Sequence, residues 1–147
     1  MQLSRNFYLQ ELVRSQTATR YGIPNHPNTK QIANLKSLCQ NVLQPVRDYF
    51  KKPVIVSSGY RSPLLNARIG GSNTSQHCLG LAADFEIPGV ANKSVAEWIK
   101  NNLEYDQLIL EFWNEKNPNS GWIHCSYVNS NRQQSLVYNG KKYRSWV

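Results

Sequence analysis

Apolar and polar positions in this chain follow two periods, and the switch between them lays out the elements. Between residues 7 and 15, Tyr8, Leu9, Leu12 and Val13 stand at helical spacing and predict a short first helix. A polar stretch with Gly22-Ile23-Pro24-Asn25 and His26-Pro27-Asn28 as breakers follows, and His26 reads as an exposed loop residue. From Gln31 to about Phe50, the residues Ile32, Leu35, Leu38, Cys39, Val42, Leu43, Val46 and Phe50 trace one long stripe, the main core helix. Pro45 falls inside that stripe and is expected to kink or restart it. A third helix is predicted near residues 94–103, with Val95, Trp98, Ile99 and Leu103 inward.

Strand-like runs occupy residues 53–57, 82–87, 107–113 and 121–128, and Asn139-Gly140 near the end carries the signal of a tight hairpin. The long connection from Tyr60 to Gln76 reads as a functional loop, since such loops are uncommon in compact domains. Helices, strands, a helix and then strands give an α+β fold, one domain over residues 1–147, with a mainly antiparallel sheet packed on helices.

Composition narrows the class. A chain of 147 residues, 40% hydrophobic and 18% charged, can bury a core and is not disordered. No apolar run is long enough to span a bilayer and the first residues lack a secretory core, so the expectation is synthesis in the cytoplasm without membrane insertion. Three cysteines, Cys39, Cys78 and Cys125, with no C-x-x-C pair argue for reduced thiols. A net charge of +8 favours anionic partners. No nucleic-acid-binding signature accompanies it, so nucleic acid is not expected, and an anionic cell-wall polymer is attracted by the same field.

The chemistry gathers in two segments. Ser75-Gln76-His77-Cys78-Leu79-Gly80-Leu81-Ala82-Ala83-Asp84 holds a histidine, a glycine turn and an aspartate, which can meet at one metal ion if the chain reverses at Gly80. His124, in Gly121-Trp122-Ile123-His124-Cys125-Ser126-Tyr127, is the candidate third ligand. Alternation puts Trp122, His124 and Ser126 on one strand face and Ala82, Asp84 and Glu86 on one face of another, opposite the core. Centring the hairpin at Asn117-Pro118-Asn119 pairs Glu111 with His124 and Trp113 with Trp122, which brings an acid beside the metal. Two histidines and a carboxylate suit a single catalytic zinc with one position left open, Glu111 the general base role, and Arg61 a two-pronged grip on a substrate carboxylate.

Ser57-Ser58-Gly59-Tyr60-Arg61-Ser62, Ser75-x-His77-x-x-Gly80-x-Ala82-x-Asp84 and Trp122-Ile123-His124-Cys125-Ser126 resemble the zinc D-Ala-D-Ala carboxypeptidases. More broadly they resemble the LAS metallopeptidases of bacterial cell-wall peptides, which share a fold with the hedgehog signalling domain, and the compact phage and prophage endolysins within that group. The resemblance implies a zinc in a cleft on the sheet, held by His77, Asp84 and His124, with Arg61 and Ser75 on the substrate. Many carboxypeptidase members carry their catalytic acid three residues before the last histidine. Gly121 occupies that position here, and Glu111 matches the members that place a glutamate on the preceding strand.

The expected activity is hydrolysis of an amide bond in peptidoglycan stem peptides, at D-Ala-D-Ala or at an L-Ala-D-Glu-type bond. The expected protein is a monomer, released to the wall as phage lysins are, or carried on a virion. A non-catalytic zinc module for wall binding or virion structure is the alternative. A cysteine hydrolase using Cys78 or Cys125 is a third reading, disfavoured because each thiol follows a proposed ligand and so points the other way on a strand.

Overall fold

A computed structural model describes residues 1–146. The chain opens with two short strands, β1 (Gln2–Ser4) and β2 (Phe7–Tyr8), paired as a hairpin, and then α1 (Leu9–Val13). The helix expected over residues 7–15 is therefore shorter. Tyr8 is extended and donates its backbone N–H to the Glu11 carboxylate at 3.0 Å, so the helix begins after it. Arg14 is extended again, and Ser15 caps a second helix, α2 (Gln16–Tyr21), in the stretch read as turns.

The main stripe forms a continuous helical rod made of α3 (Thr29–Leu38), a π-helical turn over residues 39–43, and α4 (Gln44–Phe50). The Gln44 N–H reaches back five residues to the Cys39 carbonyl. This wide turn comes just before Pro45, whose ring would otherwise crowd the preceding turn and which has no N–H to donate, so the rod restarts without a break. Its inward residues Leu35, Leu38, Cys39, Val42, Leu43 and Val46 are fully buried. Burial pushes the Cys39 thiol up to about 12, with Glu11 adding to it, so Cys39 is a small core residue.

Six strands make the main sheet: β3 (Ile55–Ser58), β4 (Ala82–Glu86), β5 (Gln107–Glu111), β6 (Trp122–Ser126), β7 (Gln134–Tyr138) and β8 (Tyr143–Ser145). Their spatial order is β3-β4-β6-β5-β7-β8, antiparallel except for the parallel β5–β7 pair. One face, with Ala83, Phe85, Leu108, Leu110, Ile123 and Cys125, joins a core cluster with the helical rod and with Val95, Ala96 and Ile99 of α6 (Asn92–Asn102). The opposite face is left for the site.

Two connections differ from expectation. The long loop contains α5 (Pro63–Arg68), started by the Ser62 side chain accepting the Leu65 N–H and by Pro63 in the first turn. The terminal hairpin has a four-residue loop over residues 139–142, because Tyr138 pairs with Tyr143 and the Asn139 side chain accepts the N–H groups of Lys141 and Lys142. Among the described residues, no helix is long and apolar enough to cross a membrane.

Candidate metal centre

His77 lies on a 3₁₀ turn, Gln76–Leu79, and not on a strand. Ser75 caps that turn, its hydroxyl oxygen accepting the His77 N–H at 3.2 Å. Gly80 ends it with a φ of 74°, the left-handed reversal that sends the chain into β4. The turn is held from two sides. Gln31 and Asn34 on α3 donate to the carbonyls of Cys78 and Leu79, and Gln76 donates to Asp106 at 2.8 Å.

Antiparallel pairing sets Asp84 of β4 directly opposite His124 of β6, both on the face away from the core. His77, Asp84 and His124 each offer one donor atom, all within 4.8 Å of one another. His77 is 2% exposed, and its Nδ1 lies 2.7 Å from the Gly59 carbonyl, which fixes that nitrogen as the donor and leaves Nε2 its lone pair. Nε2 stands 3.4 Å and His124 Nδ1 2.9 Å from Asp84 Oδ1. Ligands on a tetrahedral zinc with bonds of ~2.0–2.1 Å are roughly 3.3–3.4 Å apart. Two imidazole nitrogens and a carboxylate oxygen, oriented by a carbonyl behind one of them, fit such an ion in chemistry, and the His77–Asp84 separation fits it in spacing. Burial by itself raises the Asp84 carboxyl, but the adjoining His124 and His77 imidazoles outweigh it and hold it well below the usual carboxylate range.

The β5–β6 register corrects one expectation. Ile109, not Glu111, stands opposite His124, and Glu111 faces Trp122. The offset is two residues, and an even slip keeps a side chain on its face, so Glu111 still lines the cleft, one rung beyond His124. Trp113 does not pair with Trp122. Phe112 has a φ of 52°, which breaks the alternation and sends Trp113, 8% exposed, into the core. Phe112 takes its place, its ring 5.1 Å from that of Trp122. Burial raises the Glu111 carboxyl, the nearby His124 lowers it and Asp84 raises it again, with a net rise.

Gly121 has a φ of 67°, and a Cβ there would stand 1.8 Å from the Glu111 carbonyl oxygen. The strand that carries Glu111 thus occupies the room a side chain at 121 would need. Asn92 of α6, 2% exposed, donates to the Gly121 carbonyl at 3.0 Å and secures this crossing. Gly121→Ala is expected to lower stability by at least about 2 kcal/mol in chemical unfolding, through left-handed strain and a backbone clash.

Arg61 reaches the cleft from the loop after β3, its N–H bonded to the His77 carbonyl at 3.1 Å. Its Nε is buried and has no partner among the described residues. Burial lowers its pKa, against the charges of Asp84 and Cys78, but a guanidinium stays protonated. Asn25 brackets it, donating to the carbonyls of Val13 (2.7 Å) and Tyr60 (3.0 Å) and accepting the Ser62 N–H at 2.7 Å. Arg61, Ser75, His77, Asp84, Glu111 and His124 all line one cleft of about 590 Å³. Cys125 is fully buried on the core face and burial raises its thiol, so it does not reach the cleft. Cys78 is raised by burial too, and no histidine is hydrogen-bonded to its thiol among the described residues.

Asp106, Gln76, Asn25 and Asn92 support the site without belonging to any motif legible in the sequence. Asp106 is 3% exposed and accepts from Gln76 and from the Arg132 backbone N–H, Nε and Nη2 at 2.7–3.0 Å. Hydrogen bonds from the Arg132 side chain, against burial, lower its pKa to about 2. A depressed folded-state pKa gives stability that is present above the ordinary value and lost as pH falls through the folded one. Screening at the half-exposed Arg132 limits it to about 1–2 kcal/mol. Unfolding of the parent and of Asp106→Asn should therefore differ at pH 7 and converge towards about pH 2.

The family model for Peptidase M15 matches residues 5–126, and the chain belongs to that family. It is accordingly a metallopeptidase with a peptide substrate. No curated protein matches the chain.

Proposed function

We propose that the protein is a zinc peptidase that hydrolyses an amide bond in bacterial peptidoglycan stem peptides. The observation that carries this reading is the set of three donor atoms within 4.8 Å, with Glu111 on the adjoining rung of the same sheet face. His77, Asp84 and His124 hold the ion and Glu111 is the general base. Arg61 binds a substrate carboxylate, and Ser75, whose hydroxyl hydrogen stays available, is a polar contact. When bound, zinc supplies a Lewis acid that polarises the scissile carbonyl and acidifies the attacking water. Glu111 takes the proton from that water and delivers it to the leaving nitrogen, and its raised pKa suits both steps.

A net charge of +8 draws the protein to an anionic wall. The lytic role is that of a phage or prophage endolysin or a virion-associated hydrolase, acting as a monomer at the wall. Digestion of purified peptidoglycan with the zinc-loaded protein, followed by mass analysis, tests it. Free D-alanine identifies a carboxypeptidase and released longer peptides an endopeptidase. Binding to walls without release of new amines would support the non-catalytic module instead.

A further inference from the structure

The rung that carries Glu111 continues across the sheet. Trp122 on β6, Glu111 on β5, Tyr138 on β7 and Tyr143 on β8 stand in register, and all four line the cleft. Phe112, turned out of the pleat, spans the position of Glu111, its ring 5.1 Å from those of both Trp122 and Tyr138. Tyr138 in turn stacks on Tyr143 at 4.4 Å and 27°. The rings form a continuous aromatic wall, open to solvent, with Phe112 49% and Tyr143 57% exposed. Tyr138 and Tyr143 lie beyond residue 126, where the family match ends, so half of the wall belongs to the terminal hairpin.

The chemistry of the wall selects its occupant. Glu111 is the only charged member of the row, which fits a neutral ligand. Ring faces carry negative potential and attract the polarised C–H bonds that cover one side of a pyranose. The two tyrosine hydroxyls can exchange hydrogen bonds with sugar hydroxyls. Side chains on neighbouring strands repeat every ~4.8 Å, a spacing commensurate with successive rings of a β-linked glycan.

Position agrees with chemistry. Arg61 sits beside His77 at the β3–β4 side, the donor atoms lie over β4 and β6, and the wall extends over β5, β7 and β8. A peptide laid across the strands with a carboxylate at Arg61 runs its N-terminal side towards Tyr143, and a stem peptide is joined to its glycan at the N-terminus. We propose that this wall is a sugar subsite for the N-acetylhexosamine to which the substrate peptide is attached, a step that rests on the wall-peptidase reading above.

Two measurements on the zinc-loaded protein test this. In the first, the β-linked N-acetylglucosamine trisaccharide is titrated and followed by tryptophan fluorescence. Saturable binding is expected, weakened about tenfold in Tyr143→Leu and in Phe112→Leu and retained in Tyr143→Phe. In the second, kcat/KM is compared for a muramyl peptide and for the same peptide without its sugar. The ratio should exceed about ten in the parent and fall towards one in both leucine variants. Absent trisaccharide binding, leucine variants that bind like the parent, or a parental ratio near one overturn the subsite. Ring-dependent binding by a protein that cleaves neither peptide keeps the subsite and removes the wall-peptidase reading, while equal cleavage of both without sugar binding does the reverse.

Discussion

Glu111→Gln protein is expected to take up zinc as the parent does and to hydrolyse its substrate at least about a hundredfold more slowly. The substitution keeps the shape of the side chain and removes its ability to accept a proton. Glu111 is not among the three donor residues, and Ile109, not Glu111, is the direct partner of His124, so metal binding does not pass through it. Its carboxylate is half-buried beside Trp122 and Tyr138, where desolvation raises its pKa towards working pH and improves it as a base. Steady-state turnover on a wall peptide together with metal analysis of the same preparation checks this. Full activity in the variant would move the base to another residue.

His77→Ala is expected to weaken zinc binding at least about a hundredfold, since loss of a ligand should exceed the 10- to 100-fold typical of its supporting contacts. The effect can be read without turnover. Zinc that binds only the folded parent stabilises it by about 2.7 kcal/mol at a hundred times Kd, and a chelator reverses this. In His77→Ala the zinc-dependent shift in Tm should vanish. The variant also leaves the buried Gly59 carbonyl without its imidazole partner, so its metal-free form should be about 1–3 kcal/mol less stable than the metal-free parent. A zinc-dependent Tm shift equal to the parent's would remove His77 from the ligand set.

The α+β class, the long core helix and the inward faces of the strands were legible because local periodicity encodes them. Alternation along residues 82–86 and 122–126 was enough to put Asp84 and His124 on one face, and the structure adds that they are direct cross-strand partners. The helix α5 is also legible, in the cap-and-proline pair Ser62-Pro63, within the stretch expected to be a loop. The π-helical turn was not, although Pro45 signalled that something must give.

What the sequence determines by itself is therefore the inventory of the site and the face each residue takes, because a two-residue period is a property of a single strand. Which residue stands opposite which is a property of two strands and of the turn between them. That is why Glu111 kept its face but moved from His124 to Trp122, and why the left-handed Phe112 reversed the expectation for Trp113. The residues that hold the site in place were beyond reach for the same reason on a longer scale. Asp106 meets Gln76, Asn25 meets Tyr60 and Ser62, and Asn92 meets Gly121 only after the chain has closed on itself, through single hydrogen bonds between residues roughly 30 positions apart that leave no local pattern.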